Sequence, residues 1–421
     1  MSGLLARNPQ FRRLWSAQVV SQAGDWLSRI ATLQLLDTYG GADAAIVGLG
    51  LLFALEHVLR LLPSALLGPL AGPVADRLPR KLVLVAGDAG RALLVLGYLL
   101  VDSPEELWIV YTLVLAQMGL SAFFDSARQG VLPNTVGTGD LHGAIALSAA
   151  TWSAMLSIGS LAGGLLVARF GTSAAFAIDA ASYAVSALLV TGLRLPPQSR
   201  PPERFVIADV VLARDLLRGL SHVRQLGIAH TLLAKVCWGG AGGLMVLLAL
   251  APRTRYGGDL GAAFSSAYGY LLAARGVGTA VGPYLARRFL GTDPRGLVRT
   301  IGCGFVVAPL FYAGFGVAEP LWLAALCVGI AHMGGGAIWV ASTSLWQRRV
   351  ADHFRGRVHA LDFLGTTISF SAFTLLAGVM YDAGLAIEQV TSTLCVAIAG
   401  MGAWWWCVRA RAELEGDRST R

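Results

Sequence analysis

Long apolar runs recur along the whole chain, and they set the first expectation. LVLVAGDAGRALLVLGYLLV (82–101) and LWIVYTLVLAQMGLSAFF (107–124) are typical of them. Runs of roughly 18 or more mostly apolar residues predict membrane-spanning helices. Twelve lie near 14–36, 46–72, 82–101, 107–125, 142–168, 172–193, 228–252, 264–286, 297–317, 321–344, 357–381 and 388–408. Helices are the expected spanning form, because no long series of alternating ten-residue strands occurs. The first run is too long, and its sequel too unlike a cleavage site, for a removable signal peptide, so it is expected to remain as an anchor.

Composition agrees with that pattern. Of the 421 residues 55% are hydrophobic and only 14% charged, against about 25% charged in an ordinary soluble chain. Mean hydropathy is +0.62. The expected class is an all-α membrane protein with twelve transmembrane helices. Most basic residues fall on the side shared by the two termini, among them Arg7, Arg12, Arg13, Arg348, Arg349, Arg355 and Arg357. The acidic connector DSPEEL (102–107) falls on the other. The positive-inside rule places both termini in the cytoplasm. The net charge of +8 therefore reports topology, and no nucleic-acid partner is expected.

Other chemistries find little support. Cys237, Cys303, Cys327, Cys395 and Cys407 lie in or beside spans and form no metal-like or disulfide spacing. The seven histidines are scattered. No HExxH cluster, nucleophile elbow or phosphate-binding loop appears, so no enzyme, metal or cofactor is expected.

The chain divides into six spans (1–193), a linker (194–227), six spans (228–408) and a cytoplasmic tail (409–421). The linker begins proline-rich and extended. Its rear half, with Arg214, Arg218 and Arg224 among apolar residues, suggests an amphipathic helix on the membrane surface; an inert tether is the alternative. GPVADRLPRK from Gly72 is echoed by GPYLARRFLG from Gly282, 210 residues later. The same shift carries Asp25 onto Lys235. Duplicated halves with a site between them are a recurring transporter design.

The twelve-span layout and GPVADRLPRK resemble the major facilitator superfamily, whose signature G-x-L-A-D-R-x-G-R-K aligns with it. Gly72, Ala75, Asp76, Arg77, Arg80 and Lys81 fall on motif positions, and Pro79 replaces the usual glycine. RNPQFRRLWSAQVVSQAGDWLSRIA, LPNTVGTGDLHGAIAL, FGTSAAFAIDAASY and FRGRVHAL resemble the siderophore (enterobactin-type) and macrolide exporters of that superfamily. The resemblance implies two pseudo-symmetric six-helix bundles and secondary active transport. It implies a gating role for Asp76, through a pair formed only when the cytoplasmic side is closed. Arg77, Arg80 and Lys81 are equally explained by the positive-inside rule. IGSLAGG in span 5 matches part of an antiporter motif at Gly159, Gly163 and Gly164, with Ser160 in place of proline. Close helix packing explains those glycines as well. Many antiporters carry a span-4 arginine that is missing here, which leaves Arg29 or Arg60 to supply a central basic group.

Two acid–base pairs stand inside spans. Asp25 and Arg29, and Glu56 and Arg60, are each spaced i, i+4, so both members share a helix face. Asp25 lies about 16 Å into its span, near the middle of a hydrocarbon layer ~30 Å thick. An unpaired charge at that depth costs at least ~2.5–3.5 kcal/mol. The pairs either fix helix orientation or exchange protons, since a carboxyl balanced between burial and a guanidinium can load and release one. Gln18, Gln22, Trp26, Trp152, Lys235, Trp238 and Trp339 are candidates for a substrate cavity. Asp125 and Arg128 read as a local hinge pair, and WWW (404–406) as an interfacial anchor. The expected function is proton-coupled efflux of a small amphipathic organic compound, such as a siderophore, macrolide or other drug, by a monomer in the bacterial inner membrane. A lysolipid-type flippase and a non-transporting sensor or scaffold are the alternatives.

Overall fold

The computed structural model describes residues 2–40, 48–137, 140–195, 212–256 and 262–419, and the described residues contain no strand. The helices are α1 (Ser2–Arg7), α2 (Pro9–Gly40), α3 (Leu49–Arg77), α4 (Arg80–Gly97), α5 (Leu107–Thr135), α6 (Leu141–Thr191), α7 (Leu212–Gln225), α8 (Ala229–Cys237), α9 (Gly240–Ala251), α10 (Ala262–Leu290), α11 (Pro294–Val317), α12 (Leu321–Gln347), α13 (Asp352–Asp382) and α14 (Ile387–Ser419). Local chemistry sets several ends. Pro79 cannot continue α3: the Leu78 N–H still reaches Val74 O at 3.1 Å, and Pro79 O then accepts from Leu82 and Val83 to open α4. Proline also stands at the start of α11.

Among the described residues, nine helical stretches are long and apolar enough to cross a membrane. One of them, Gly143–Thr191, has 49 residues, too many for a single ~30 Å crossing. It breaks at Gly171, whose φ of 81° and ψ of 174° are not helical. A left-handed φ there favours glycine, and the two arms make two crossings. The remaining crossings are α2, with 32 residues, and α10, with 29. Both are long enough but interrupted by polar side chains.

Burial is inverted relative to a soluble protein. Leu93 and Val396 are each 72% exposed, whereas Asp88 and Asp179 are fully buried and Lys235 is 1% exposed. Apolar side chains face outward to lipid, and charged ones face other helices.

Packing groups the chain into two compact units. The first comprises Met1–Leu49, Leu59–Val210 and Gly257–Ala273. Within it α2 packs along α6, and α4 lies against α5 and α6. Leu14, Ala17, Leu84, Phe124, Ala127, Val131, Val190 and Leu193 form one core cluster. The second unit comprises Gly50–Val58, Val211–Tyr256 and Ala274–Arg421. There α9 packs on α13 and α14, and α11 on α12 and α14. Helix α7 rests on α13, with Val223 in a cluster that includes Trp346 and Val358, while Leu217, Arg218 and Arg224 face outward. Residues 196–211 of the linker lie outside the described ones, and so do the side chains beyond Arg409. Trp404 and Trp406 are exposed as an anchor requires, but Trp405 is buried and donates to His230 O at 2.6 Å. The triplet is thus half anchor and half core.

The span-5 glycines sit at close helix contacts. A Cβ on Gly159 or Gly163 would press on Trp26 or Leu27 of α2, and one on Gly164 would come within 2.4 Å of Ser265 O on α10. Gly164→Leu is expected to cost ~1–3 kcal/mol or more by overpacking, seen as a lowered melting temperature in detergent. Gly400→Ala, where a Cβ meets nothing within 4 Å, is expected to leave it unchanged or slightly raised.

Candidate functional site

Three helices of the first unit bring their charges together. Asp25 of α2, partly buried, accepts a hydrogen bond from the hydroxyl of Tyr183 on α6. Tyr183 is fully buried and accepts in turn from Gln117 Nε2 of α5 at 3.0 Å. Arg91 of α4 pairs with Asp88 one turn earlier at 2.5 Å. Its guanidinium carbon lies 4.1 Å from the ring centroid of Phe124 and 4.5 Å from that of Tyr183. Ser186 donates to the other Asp88 oxygen at 2.6 Å. Asp179, one turn before Tyr183, is held by Ser182 at 3.2 Å. Gly24 makes room for it: a Cβ there would come within 2.3 Å of Asp179 Oδ1.

The sequence-predicted residues divide around this cluster. Asp25 is held by the Tyr183 hydroxyl, and the Tyr183 ring in turn meets Arg91. Arg29 lies 5.4 Å from the Trp26 ring centroid, and Trp26 meets Trp152 edge-on at 6.3 Å. Gln18 donates to Gln22 and to Ser148 O, and accepts from Arg128 at 2.9 Å. Arg128 also lies 3.7 Å from Asp125. On α3, Glu56 is buried and Arg60 half-buried.

The second unit holds its own charge pair. Lys235 of α8 forms an ion pair with Asp362 of α13, and both are buried. The ammonium also lies 4.5 Å from the Trp339 ring centroid on α12. Three residues along from Lys235, Trp238 contacts Phe370 and His332 edge-on, and His332 hydrogen-bonds Tyr312 at 2.8 Å. Asp362 Oδ1 and Trp238 Nε1 are buried with no hydrogen-bond partner among the described residues.

These buried charges sit in a bundle of membrane-crossing helices, and the Major Facilitator Superfamily profile matches residues 14–374. The chain belongs to the major facilitator superfamily. Among similar proteins, an uncharacterised MFS-type transporter of Mycobacterium tuberculosis is 28% identical over 91% of each chain. The multidrug efflux pump Tap of Mycolicibacterium fortuitum is 29% identical, over 54% of each chain. The chain thus spans nearly all of the first relative and about half the length of the second. The solved structure of the POT family transporter PepTSo superposes with a TM-score of 0.74 at 11% identity, covering 97% of this chain and 99% of that one. That likeness shows the fold.

In this facilitator the signature loop is tied to neighbouring helices by its basic residues. Arg80 donates to Gly130 O at 2.7 Å and Lys81 to Leu193 O at 3.1 Å, both within the first unit. Arg77 is half-buried in the last turn of α3. Positions 72 and 76 are helical in backbone, but the side chains there, Asp76's included, lie outside the described ones.

Sequence reasoning missed Asp88, Arg91, Tyr183, His332 and Asp362. A signal existed for three of them, since GDAGRALLV and LDFLG each place ionisable residues within an apolar run. A buried guanidinium of the first unit comes from α4, through Arg91. Tyr183 and His332 carry no comparable signal, because a tyrosine or histidine in a helix is ordinarily packing.

Removing one member of a buried ion pair strands the other. Lys235→Met and Asp362→Leu are each expected to destabilise the protein by ~3–5 kcal/mol, whereas the double variant loses much less than their sum. Thermal unfolding of the four proteins in detergent checks this, and additive losses would contradict a direct pair.

Proposed function

We propose that this transporter exports amphipathic organic compounds in exchange for protons, by alternating access between halves 1–193 and 228–408. It sits as a monomer in a bacterial inner membrane with both termini cytoplasmic. The observation that carries this reading is the linked set Asp25–Tyr183–Arg91–Asp88. Deprotonated, Asp25 is stabilised by the Tyr183 hydroxyl and the Arg91 charge. Protonated, it is neutral, and Arg91 remains compensated by Asp88. Protonation of Asp25 leaves the set charge-balanced, and its loss leaves one net negative charge, which the Tyr183 hydroxyl stabilises, so the cost of changing protonation at Asp25 is lowered. Asp25 is the proton carrier in this scheme, and Arg91 with Asp88 is the fixed counter-charge.

Substrate contact falls to Gln22, Arg29, Trp26 and Trp152 in the first unit and to Trp238 and Trp339 in the second. Aromatic faces with a few polar groups suit an amphipathic molecule of the macrolide or siderophore kind. Likeness to a multidrug efflux pump supports export. The signature loop, with Asp76, Arg77, Arg80 and Lys81, would latch the cytoplasmic side.

Inverted membrane vesicles test the reading. With an inward-acid gradient, wild type is expected to accumulate erythromycin or ethidium and to lose that uptake on adding a protonophore. Asp25→Asn is expected to reduce gradient-driven uptake to background while retaining exchange of preloaded for external drug. Glu56→Gln is expected to keep gradient-driven uptake. Full uptake by Asp25→Asn contradicts the assignment.

A further inference from the structure

We propose that a cleft between α10, α11 and α12 binds the phosphate of an anionic phospholipid. The cleft encloses 380 Å³ within the second unit. Its origin is a change in residue size along two helices. Where α10 and α12 are closest, their backbones almost touch: a Cβ on Gly278 would lie 2.0 Å from Gly329 O, and one on Gly282 would lie 2.1 Å from Met333 O. Farther along, the small residues Ala337, Ala341 and Ser344 of α12 and Pro283 and Ala286 of α10 line a gap. The chain then turns at Gly291, whose φ is 85°, and Thr292 joins the lining.

The walls have the chemistry of a headgroup site. Arg287 of α10 and Arg348 at the end of α12, both exposed, line the cleft with Thr292. The Ser344 and Thr300 hydroxyls donate to Val340 O and Gly296 O of their own helices, and no acidic residue lines the cleft. Among the described residues no carboxylate pairs with either arginine. The nearest acid in sequence, Asp293, instead places its Oδ1 beside Gly291 and Gly296. Guanidinium groups bind phosphate through two parallel hydrogen bonds. The apolar side of the cleft is open: Tyr284 is 69% exposed and Val340 45%, as contact with an acyl chain requires. Arg288, Arg295, Arg299 and Arg349 are exposed nearby. By the positive-inside reading of the chain, this basic pocket would lie at the cytoplasmic ends of the spanning helices, where anionic lipids are captured. The bound lipid ties α10 to α12 where their own side chains leave them apart.

The full-length protein in nanodiscs provides the test. Adding phosphatidylglycerol to phosphatidylcholine is expected to raise the wild-type melting temperature, and native mass spectrometry is expected to retain one phosphatidylglycerol. The Arg287→Gln/Arg348→Gln variant is expected to lose both effects while melting like wild type in phosphatidylcholine alone. Arg299→Gln, outside the cleft, is expected to keep them. If the double variant cannot be recovered, Ser344→Glu, which puts a like charge in the cleft, is expected to remove the phosphatidylglycerol shift. Retention of that shift in either cleft variant overturns the proposal. Equal stabilisation of detergent-purified protein by inorganic phosphate alone overturns the lipid assignment in favour of a free-phosphate site.

Discussion

A charge in hydrocarbon must be compensated, and this requirement organises the interior of each unit. Arg91 is neutralised by Asp88 and flanked by the rings of Phe124 and Tyr183. Lys235 is neutralised by Asp362 and lies near Trp339. Each arrangement supplies both an opposite charge and polarisable ring faces, so the side chain gives up water without standing alone. An apolar interior would pack as well at lower cost, so the retained charges point to function.

The fold was legible because lipid demands long apolar helices and leaves few alternatives. Gly171 separates two crossings just where the apolar pattern pauses, although its backbone φ rather than any contact requires glycine. Helices α2 and α10 carry polar residues that weaken their apolar signal. Those residues face other helices, so the weakness of the signal is itself informative. Asp25 is the clearest case. In WWW, composition suggested three interfacial indoles, but Trp405 points inward to bond His230 O. Neighbouring positions on a helix face different surroundings, and only packing decides which one is buried.

The site was partly legible, and its limits have a physical cause. Spacing along one helix reveals partners at i, i+4, which is how Arg29 came to be matched with Asp25. From another helix, Tyr183 also donates to Asp25, and its ring meets Arg91 of a third. Likewise Lys235 was visible by its offset from Asp25, while its partner Asp362 sits 127 residues away on α13. Contacts between helices depend on crossing geometry, which periodicity within one helix does not encode. Asp88 and Arg91 lie three residues apart within one helix, yet their value comes from facing Tyr183 and Ser186 on another.

The central claim is that Asp25 bears the exchanged proton while Arg91 and Asp88 stay a fixed pair. Proton release on drug binding measures this most directly, using purified protein in weakly buffered detergent with a pH indicator. Wild type is expected to release protons when it binds a drug that the inverted vesicles accumulate. Glu56→Gln is expected to do the same, and Asp25→Asn to bind the drug silently. Undiminished release from Asp25→Asn would place the proton elsewhere and contradict the claim.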